Sequence, residues 1–509
     1  MSLMGIDVGT TGCKAAAFSD DGQCIAAAYR EYSILRPQAG WAQLDSRAVI
    51  QAVKEVIAEA GAKTSEDPVQ AISVSSLGEA MTPVSAAGKI LDDSILGADM
   101  RGGDVLESIT RAIGQKDFYK INPNILGTNY SMPKLLWIKH NKPDLYRKAD
   151  KFLLWGDLVT FILSGECLTS FSLANRTLLF DIRKETWSDE LLRLCGIEKA
   201  KLPPSVASGT IAGSLCSSIA KELNLPKNTK VVIGAHDQCC NSLGAGNYTA
   251  GKAVCGIGTF ECITPTYDHL PDSEYMLANG LNIEHHAIAG LYVSFIYNQS
   301  GSLVRWFRDT FASADKKLIK PDEDIYEVLA GEIPAEPASL LTLPYFEASG
   351  APNFITDAAG VIAGLKINTQ RGEILKSIME CATFYFLESI DSLKKIRIDT
   401  SEFIVTGGGA KSNKWLQIKA DIFGVPFVRP KISECSALGA AMLAGISTGV
   451  FAHVTDAVSQ FVKVDRTFEP DAKRHKIYKE KYEMYKQISP VLRETSKLLR
   501  RMEEAEQKN

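Results

Sequence analysis

The sequence predicts an α/β fold built from two domains. Its 509 residues are 45% hydrophobic, a length that exceeds one hydrophobic core and a composition that can fill two. Short apolar stretches typical of strands alternate with longer amphipathic stretches typical of helices. Three of the short strands run directly into glycine-rich turns, at residues 9–12, 256–259 and 407–409. Because the second turn repeats the Gly-Thr pattern of the first, we expect a second domain to begin there, which gives domains 1–247 and 248–509.

The first domain begins with a predicted β-meander. Residues 3–8 and 13–18 form apolar strands with a tight turn between them. Asp45 precedes an amphipathic stretch, which is typical of a helix N-cap. The further elements predicted here are a helix over 45–60, a buried strand over 71–75, a helical region over 133–165 interrupted at Pro143, and a strand over 230–235.

The second domain repeats the pattern of a short strand followed by a glycine-rich turn. Its clearest element is a helix over about 371–395, where apolar residues recur at helical spacing. The other predicted elements are strands over 251–256 and 402–406 and helices over 413–423 and 436–449. The tail after Asp471 is charged and helical, and we expect it to be a solvated helix face.

Composition favours a small molecule as the partner. A net charge of −4 and a pI near 6.1 give no field that would attract nucleic acid or an anionic membrane. The 11 cysteines are scattered without a C-x-x-C pair, so neither a zinc site nor a disulfide framework is indicated. No stretch approaches the roughly 20 apolar residues that cross a bilayer. We therefore expect a soluble, cytoplasmic protein that binds neither nucleic acid nor membrane.

The residues of the turn after the first strand are suited to bind phosphate. Gly9 and Gly12 let backbone N–H groups approach an anion, while Thr10 and Thr11 add hydroxyl donors and Lys14 adds a positive charge. An ordinary hairpin turn has the same composition, so this loop by itself does not decide between the two.

Two aspartates at strand ends complete the pattern. Asp7 lies where a hydrated Mg²⁺ could be held, although it could also simply end its strand. Asp237 follows the strand over 230–235 and could instead cap the helix that comes after it. Combined with three glycine-rich turns, these carboxylates indicate a nucleotide held between two domains. The sequence contains neither a Walker A loop nor a dinucleotide-binding glycine motif.

At this point the chain resembles the FGGY family of carbohydrate kinases over essentially its full length. The most specific match is to the family's second signature, which is met by Gly360, Ile362, Gly364, Leu365, Glu373, Ile374, Ser377, Ile378, Met379 and Glu380. The resemblance implies two ribonuclease-H-like domains of the actin type, with an active site in the cleft between them. It also implies ATP and Mg²⁺ as cofactors, and it is compatible with a homodimer.

The resemblance assigns roles to individual residues. Asp237 matches the family's catalytic aspartate, which accepts the proton of a sugar hydroxyl, and Asp7 and Asp237 would contact the metal. The implied nucleotide-binding residues are Gly9, Thr10, Thr11, Lys14, Gly258, Thr259, Gly408, Gly409, Ala410 and Asn413. The implied acceptor-binding residues are Gly78, Glu79, Asp99, Asp237 and Gln238.

The sequence does not decide which sugar or polyol accepts the phosphoryl group. The loop at Gly78-Glu79 reproduces neither the usual xylulose kinase pattern nor the glycerol kinase pattern, and Glu79 could also be a solvated loop charge. We expect a small ketose or polyol to receive the γ-phosphate of ATP, with a xylulose-type sugar as the leading candidate and gluconate, glycerol or another polyol as alternatives. Hypotheses from another class are an ATP-driven binding machine or a non-catalytic, actin-like ATP-binding regulator.

Overall fold

A mixed sheet of six strands forms the centre of the N-terminal half. The computed structural model describes residues 2–320, 323–347, 352–355, 357–432 and 434–506. The strands of this sheet lie side by side in the order Ile211–Ser214, Lys230–His236, Val69–Ser76, Ser2–Val8, Gly12–Ser19 and Cys24–Glu31. The strands over 230–236, 69–76 and 2–8 are adjacent and parallel to one another. The remaining three strands each pair with their neighbours in antiparallel orientation.

The sheet of the C-terminal half repeats this arrangement. Its main strands lie in the order Val464–Phe468, Phe427–Pro430, Glu402–Thr406, Lys252–Ile257, Phe260–Tyr267 and Ile296–Gln299. The strands over 252–257, 402–406 and 427–430 are parallel, and the flanking pairs are antiparallel. The short strands Glu284–His285 and Tyr292–Val293 extend the edge beyond Phe260–Tyr267. The Gly-Thr pattern that occurs twice in the sequence therefore corresponds to two sheets of the same topology.

Helices cover these sheets. Those of the N-terminal half are Ser46–Gly61, Gly103–Ile113, Gln115–Ile121, Ser131–Asn141, Pro143–Lys148, Trp155–Ser164, Phe171–Asn175, Asp189–Cys195, Ser217–Leu223 and Asp237–Gly244. Those of the C-terminal half are Ser273–Ala278, Gly301–Phe311, Ser313–Leu318, Ile325–Gly331, Arg371–Lys395, Asn413–Phe423, Cys435–Ser447, Val454–Phe461 and Ala472–Glu506. In the described part of the chain, no helix combines the length and apolar character needed to cross a membrane.

The first helix shows how the predicted local signals act. The Asp45 carboxylate accepts hydrogen bonds from the backbone N–H groups of Arg47 and Ala48, both at 3.0 Å, and so caps the helix Ser46–Gly61 as predicted. Val49, Val53 and Ile57 recur at helical spacing and are buried against the sheet.

Two predictions about elements are wrong. The region 133–165 is not wholly helical, because the strand Lys151–Leu154 interrupts it and pairs with Met81–Val84. The run Phe152-Leu153-Leu154 is buried, so tertiary pairing overrides the helical pattern of its neighbours.

The tail helix Ala472–Glu506 is also not a solvated face throughout. Tyr478 and Lys481 are buried, and both contact the carboxylate of Glu380, with Tyr478 Oη donating at 2.7 Å. Glu380 belongs to the signature matched in the sequence and is itself fully buried. This residue therefore anchors the tail to the long helix Arg371–Lys395.

The helix Cys435–Ser447 joins the two halves by close backbone packing. Cys435 packs against the C-terminal sheet, while the rest of the helix lies on the first strand and on the helix Asp237–Gly244. A Cβ on Gly439 would lie 1.9 Å from the carbonyl oxygen of Cys240, and one on Gly5 would lie 1.7 Å from that of Ala437. Only glycine permits these approaches.

We predict that Gly439→Ala destabilises the protein by about 2–3 kcal/mol, because the added methyl forces the helices apart in a close-packed region. The measurement is the midpoint of thermal or urea unfolding. Gly331→Ala is the matched control, since a Cβ there meets no atom within 4 Å. Equal midpoints for the two variants would contradict the packing described here.

Candidate active site

The carboxyl ends of three parallel strands bring the predicted carboxylates together. In the strand register, Asp7 lies beside Ser75, and His236 lies beside Ser76 on the other side of the central strand. Asp237 follows directly after His236. Asp7 Oδ1 accepts a hydrogen bond from Ser75 Oγ at 2.7 Å. Because parallel strands end at one edge of a sheet, Asp7 and Asp237 share that edge.

Both carboxylates have raised pKa values. Burial raises the pKa of Asp7 to about 6, although the hydrogen bond from Ser75 lowers it. Burial also raises the pKa of Asp237 to about 7, and the negative charges of Asp7 and Glu79 add to that rise. The rise in both pKa values indicates that neither Lys14 nor Arg176 offsets the cost of ionising these two carboxylates. Among the described residues, no group of three or more acidic, histidine or cysteine side chains is placed to hold a metal.

The hypothesis that Asp237 is a helix N-cap is wrong. The helix Asp237–Gly244 is capped by His236, whose Nδ1 accepts a hydrogen bond from the backbone N–H of Gln238 at 3.4 Å. Burial lowers the pKa of His236 well below its usual range, so its ring is neutral and can accept this hydrogen bond. The ring also stacks on that of Phe295, with 5.2 Å between the ring centroids. Asp237 and Gln238 occupy the first turn of the helix, at the sheet edge that holds Asp7.

The first glycine-rich loop lies next to these carboxylates. Gly9 N–H donates to the carbonyl oxygen of Gly12 at 2.9 Å, which closes the turn and leaves Thr10 and Thr11 exposed at its tip. Lys14 Nζ forms an ion pair with Glu434 at 2.5 Å, at the start of the helix Cys435–Ser447. The first loop therefore contacts the C-terminal half.

The second and third glycine-rich loops line one cavity of about 410 Å³. Gly258, Thr259, Gly408 and Gly409, which the resemblance assigns to nucleotide binding, all contribute to its wall. Its apolar lining is formed by Ile257, Val304, Leu329, Leu375, Met379 and Trp415. Arg305 donates to Thr259 Oγ1 at 2.8 Å. A pocket with apolar walls and glycine-rich backbone at one end suits a flat aromatic base followed by phosphates.

Ala410 and Asn413 do not line this cavity. Ala410 is buried on the other side of the turn, and Asn413 Oδ1 accepts a hydrogen bond from Arg429 at 3.0 Å. The structure thus groups the two glycines of this predicted set and leaves Ala410 and Asn413 outside the cavity.

Glu79 is not a solvated loop charge. Its carboxylate Oε1 accepts a hydrogen bond from Arg176 Nε at 2.7 Å, and its side chain is only 17% exposed. Arg176 Nη1 also donates to Glu284 Oε1 at 2.8 Å. A Cβ on Gly78 would lie 3.2 Å from Arg176 Cγ and 2.9 Å from His236 Cδ2, so a glycine makes room for both side chains. Neither Arg176 nor Glu284 belongs to a sequence motif that predicts a place in this site.

Asp99 lies in a separate cluster. It is fully buried, and its carboxylate accepts hydrogen bonds from the Ala42 N–H at 2.5 Å and from Arg101 Nη2 at 2.7 Å. The Arg101 guanidinium packs on the rings of Trp41 and Trp137, 3.8 and 4.8 Å from their centroids, and the two rings contact each other edge to face. Every contact described for the Asp99 carboxylate lies within this cluster, so the structure does not bring it to Asp237.

Comparison with known proteins decides the family. Family models of the FGGY family of carbohydrate kinases match the chain over residues 2–244 for the N-terminal domain and 253–448 for the C-terminal domain. The chain belongs to the FGGY family of carbohydrate kinases. Enzymes of this family transfer a phosphoryl group from ATP to a sugar, so the predicted use of ATP and a small-molecule acceptor is confirmed.

Individual FGGY kinases resemble the chain along almost its whole length. The chain is 29% identical to the xylulose kinase of Bacillus subtilis over 490 residues, 96% of each chain. It is 28% identical to the glycerol kinase of Janthinobacterium sp. over 484 residues, 92% of this chain and 94% of that one. The crystal structure of xylulose kinase from Rhodospirillum rubrum has a TM-score of 0.87 at 24% identity and covers 96% of this chain and 99% of that chain. The predicted two-domain, actin-type fold is therefore confirmed.

We predict that Gly408→Leu weakens the binding of ATP and ADP at least about tenfold, because a leucine side chain occupies several heavy-atom positions of a pocket-sized ligand. Gly408 lines the cavity, and a Cβ there would meet no atom within 4 Å, so the fold should be unchanged. Isothermal titration calorimetry gives the affinity and thermal unfolding gives the control. An unchanged nucleotide affinity would exclude this cavity as the nucleotide site.

Proposed function

We propose that this FGGY kinase transfers the γ-phosphoryl group of ATP to a hydroxyl of a small ketose or polyol, with a xylulose-type sugar as the leading acceptor. The observation that carries the proposal is the position of Asp237, a partly exposed carboxylate directly after the strand Lys230–His236, at the strand edge that it shares with Asp7 and the loop of Glu79. The name of the Bacillus subtilis relative supports the xylulose-type acceptor. The similarity to a glycerol kinase supports a polyol as the second candidate.

Asp237 has the chemistry of a general base in this reaction. A sugar hydroxyl is a weak nucleophile, and an ionised carboxylate within hydrogen-bond reach can accept its proton as the phosphoryl group moves across. The raised pKa of Asp237, about 7, makes this carboxylate a better proton acceptor than an exposed aspartate. The first turn of its helix fixes the side chain at the sheet edge, with Gln238 beside it to contact the acceptor.

The nucleotide fits between the glycine-rich loops. The adenosine would occupy the apolar cavity beside Gly258 and Gly408, with its phosphates directed toward the loop over 9–12 and Lys14. We also propose the division near residue 248, because the repeated topology of the C-terminal sheet starts with the strand Lys252–Ile257. In this division the first domain supplies the loop at Gly78-Glu79 for the acceptor, and the second domain supplies the cavity for the adenosine.

Asp7 and Asp237 fit a divalent cation such as Mg²⁺. The two carboxylates lie at one strand edge, and the negative charge of Asp7 raises the pKa of Asp237, so a cation bound there would neutralise charge. Two carboxylates are too few for a closed cage, which suits Mg²⁺, since it keeps several waters and binds phosphate oxygens. When bound, the cation would neutralise charge on the phosphates. The same pair of intact carboxylates favours an enzyme over a non-catalytic regulator.

The proposal is tested by ADP release across a panel of ketoses, polyols and sugar acids, with wild-type protein and Asp237→Asn. We predict that one neutral acceptor responds strongly and that Asp237→Asn lowers kcat about 10²–10⁴-fold while ATP affinity is kept. Glu402→Gln is the matched control, because it removes an ion pair with Lys252 at the strand ends opposite those that lead into Gly258 and Gly408. Near-normal turnover by Asp237→Asn would overturn the role of Asp237.

We predict that kcat/KM for the acceptor falls as the pH is lowered through about 7. The base works only when ionised, and burial holds the pKa of Asp237 near 7 in the free enzyme. Raising the Mg²⁺ concentration should move this acidic limb to lower pH, because a cation stabilises the ionised carboxylate. The pH profile at two fixed concentrations of Mg²⁺ provides the measurement. A profile that is flat between pH 5.5 and 8 at the lower Mg²⁺ concentration would contradict the assignment.

A further inference from the structure

A chain of three charged side chains runs from the loop at Gly78-Glu79, to which we assign the acceptor, into the C-terminal half. Arg176 Nε donates to Glu79 Oε1 at 2.7 Å, and Arg176 Nη1 donates to Glu284 Oε1 at 2.8 Å. Arg176 follows the helix Phe171–Asn175, whereas Glu284 lies on an edge strand of the C-terminal sheet. We call Glu79, Arg176 and Glu284 the acceptor clamp.

The clamp is built with a fixed geometry. Glu284 is 1% exposed at its side chain and accepts a further hydrogen bond from Asn282 Nδ2 at 3.1 Å. The Arg176 guanidinium lies 4.7 Å from the ring of Tyr130 and 5.6 Å from that of Phe295. Such an arginine is held in one orientation by its ion pairs and its aromatic neighbours.

The charge of Arg176 is already shared by two carboxylates. Lys14, the cation of the neighbouring loop, is likewise paired with Glu434. Two carboxylates, those of Glu79 and Glu284, face the single guanidinium of Arg176, so the clamp contains one more acidic group than basic groups. An acceptor that brings its own carboxylate would meet this charge without an unengaged cation among these residues.

Glu79 keeps one oxygen for a ligand. Both of its hydrogen bonds from Arg176 go to Oε1, and in the described ranges no residue donates to Oε2. Glu79 also has a φ of +53°, a strained conformation for a residue with a side chain. A carboxylate oxygen that is fixed, partly exposed and close to Asp237 is suited to accept a hydrogen bond from a hydroxyl.

We propose that the acceptor clamp restricts this kinase to uncharged polyhydroxy acceptors and excludes sugar acids. Glu79 Oε2 accepts a hydrogen bond from an acceptor hydroxyl, and Arg176 fixes Glu79 in place. Glu284 is the positioning residue, because it engages the face of Arg176 that a sugar carboxylate would otherwise bind. The inference rests on the proposed function and specifies the substrate class of that same site.

The test compares matched neutral and acidic ligands by calorimetry and by turnover. The pairs are xylulose with xylonate and glycerol with glycerate, which differ chiefly in charge. Whichever pair binds the wild-type protein, its neutral member should bind at least about tenfold more tightly than its acid. This ratio corresponds to one charge that lacks a partner of opposite sign. Calorimetry without ATP gives this ratio even if no phosphoryl transfer occurs.

Two isosteric variants then test the clamp itself. Glu284→Gln keeps a hydrogen-bond acceptor but frees part of the Arg176 charge, so the preference for the neutral ligand should fall about fivefold or more, with the KM for ATP unchanged. Glu79→Gln should raise the KM for the neutral acceptor about tenfold, because a charged hydrogen bond becomes a neutral one. Glu402→Gln should change neither value, and thermal unfolding reports whether each variant is folded.

The outcomes separate the two proposals. If the wild-type protein binds or phosphorylates a sugar acid better than its neutral partner, the kinase proposal stands and the clamp proposal is overturned. An unchanged preference in both folded variants also overturns the clamp proposal, and so does the absence of binding by every member of the pairs. Neutral binding without any turnover supports the clamp and overturns the proposed kinase activity.

Discussion

The common edge at which three parallel strands end is the constraint on which the candidate site depends. Ser2–Val8 and Lys230–His236 flank the central strand Val69–Ser76, so Asp7 and Asp237 become neighbours although they lie far apart in the sequence. The loop of Glu79 follows the central strand and therefore emerges between them. Backbone hydrogen bonding, rather than side-chain packing, thus sets which charged groups meet, and burial then raises the pKa values of both aspartates.

The two halves put the same topology to different chemical use. The turn after the first strand is a polar loop with Lys14 in one half and the Gly258-Thr259 turn in the other. The loop after the next parallel strand carries Glu79 in the N-terminal half, whereas Gly408–Lys411 borders an apolar cavity in the C-terminal half. The loops to which we assign the phosphates, the acceptor and the adenosine are therefore variations of the loops at one sheet edge.

Sequence signals identified the parts of the site that local chemistry determines. The glycine-rich turns, Asp7 and Asp237 could be predicted because each follows an apolar strand with distinctive turn residues. Arg176 and Glu284 could not, because their partnership depends on how the two halves meet and leaves no local pattern. The strand Lys151–Leu154 was missed for the same reason, since its partner Met81–Val84 is distant in the chain. The buried face of the tail depends on Glu380 in another helix.

The backbone contacts of the helix Cys435–Ser447 determine where Asp237 is held. Gly439 touches the helix Asp237–Gly244, and Gly5 touches Ala437, with no side chains between the backbones that could change rotamer. Sliding the helix Cys435–Ser447 along either contact would bring backbone atoms into overlap, so these contacts fix its position on the first strand and on the helix Asp237–Gly244. Asp7 lies on that strand and Asp237 begins that helix, so one packed helix holds the backbone of both aspartates in place.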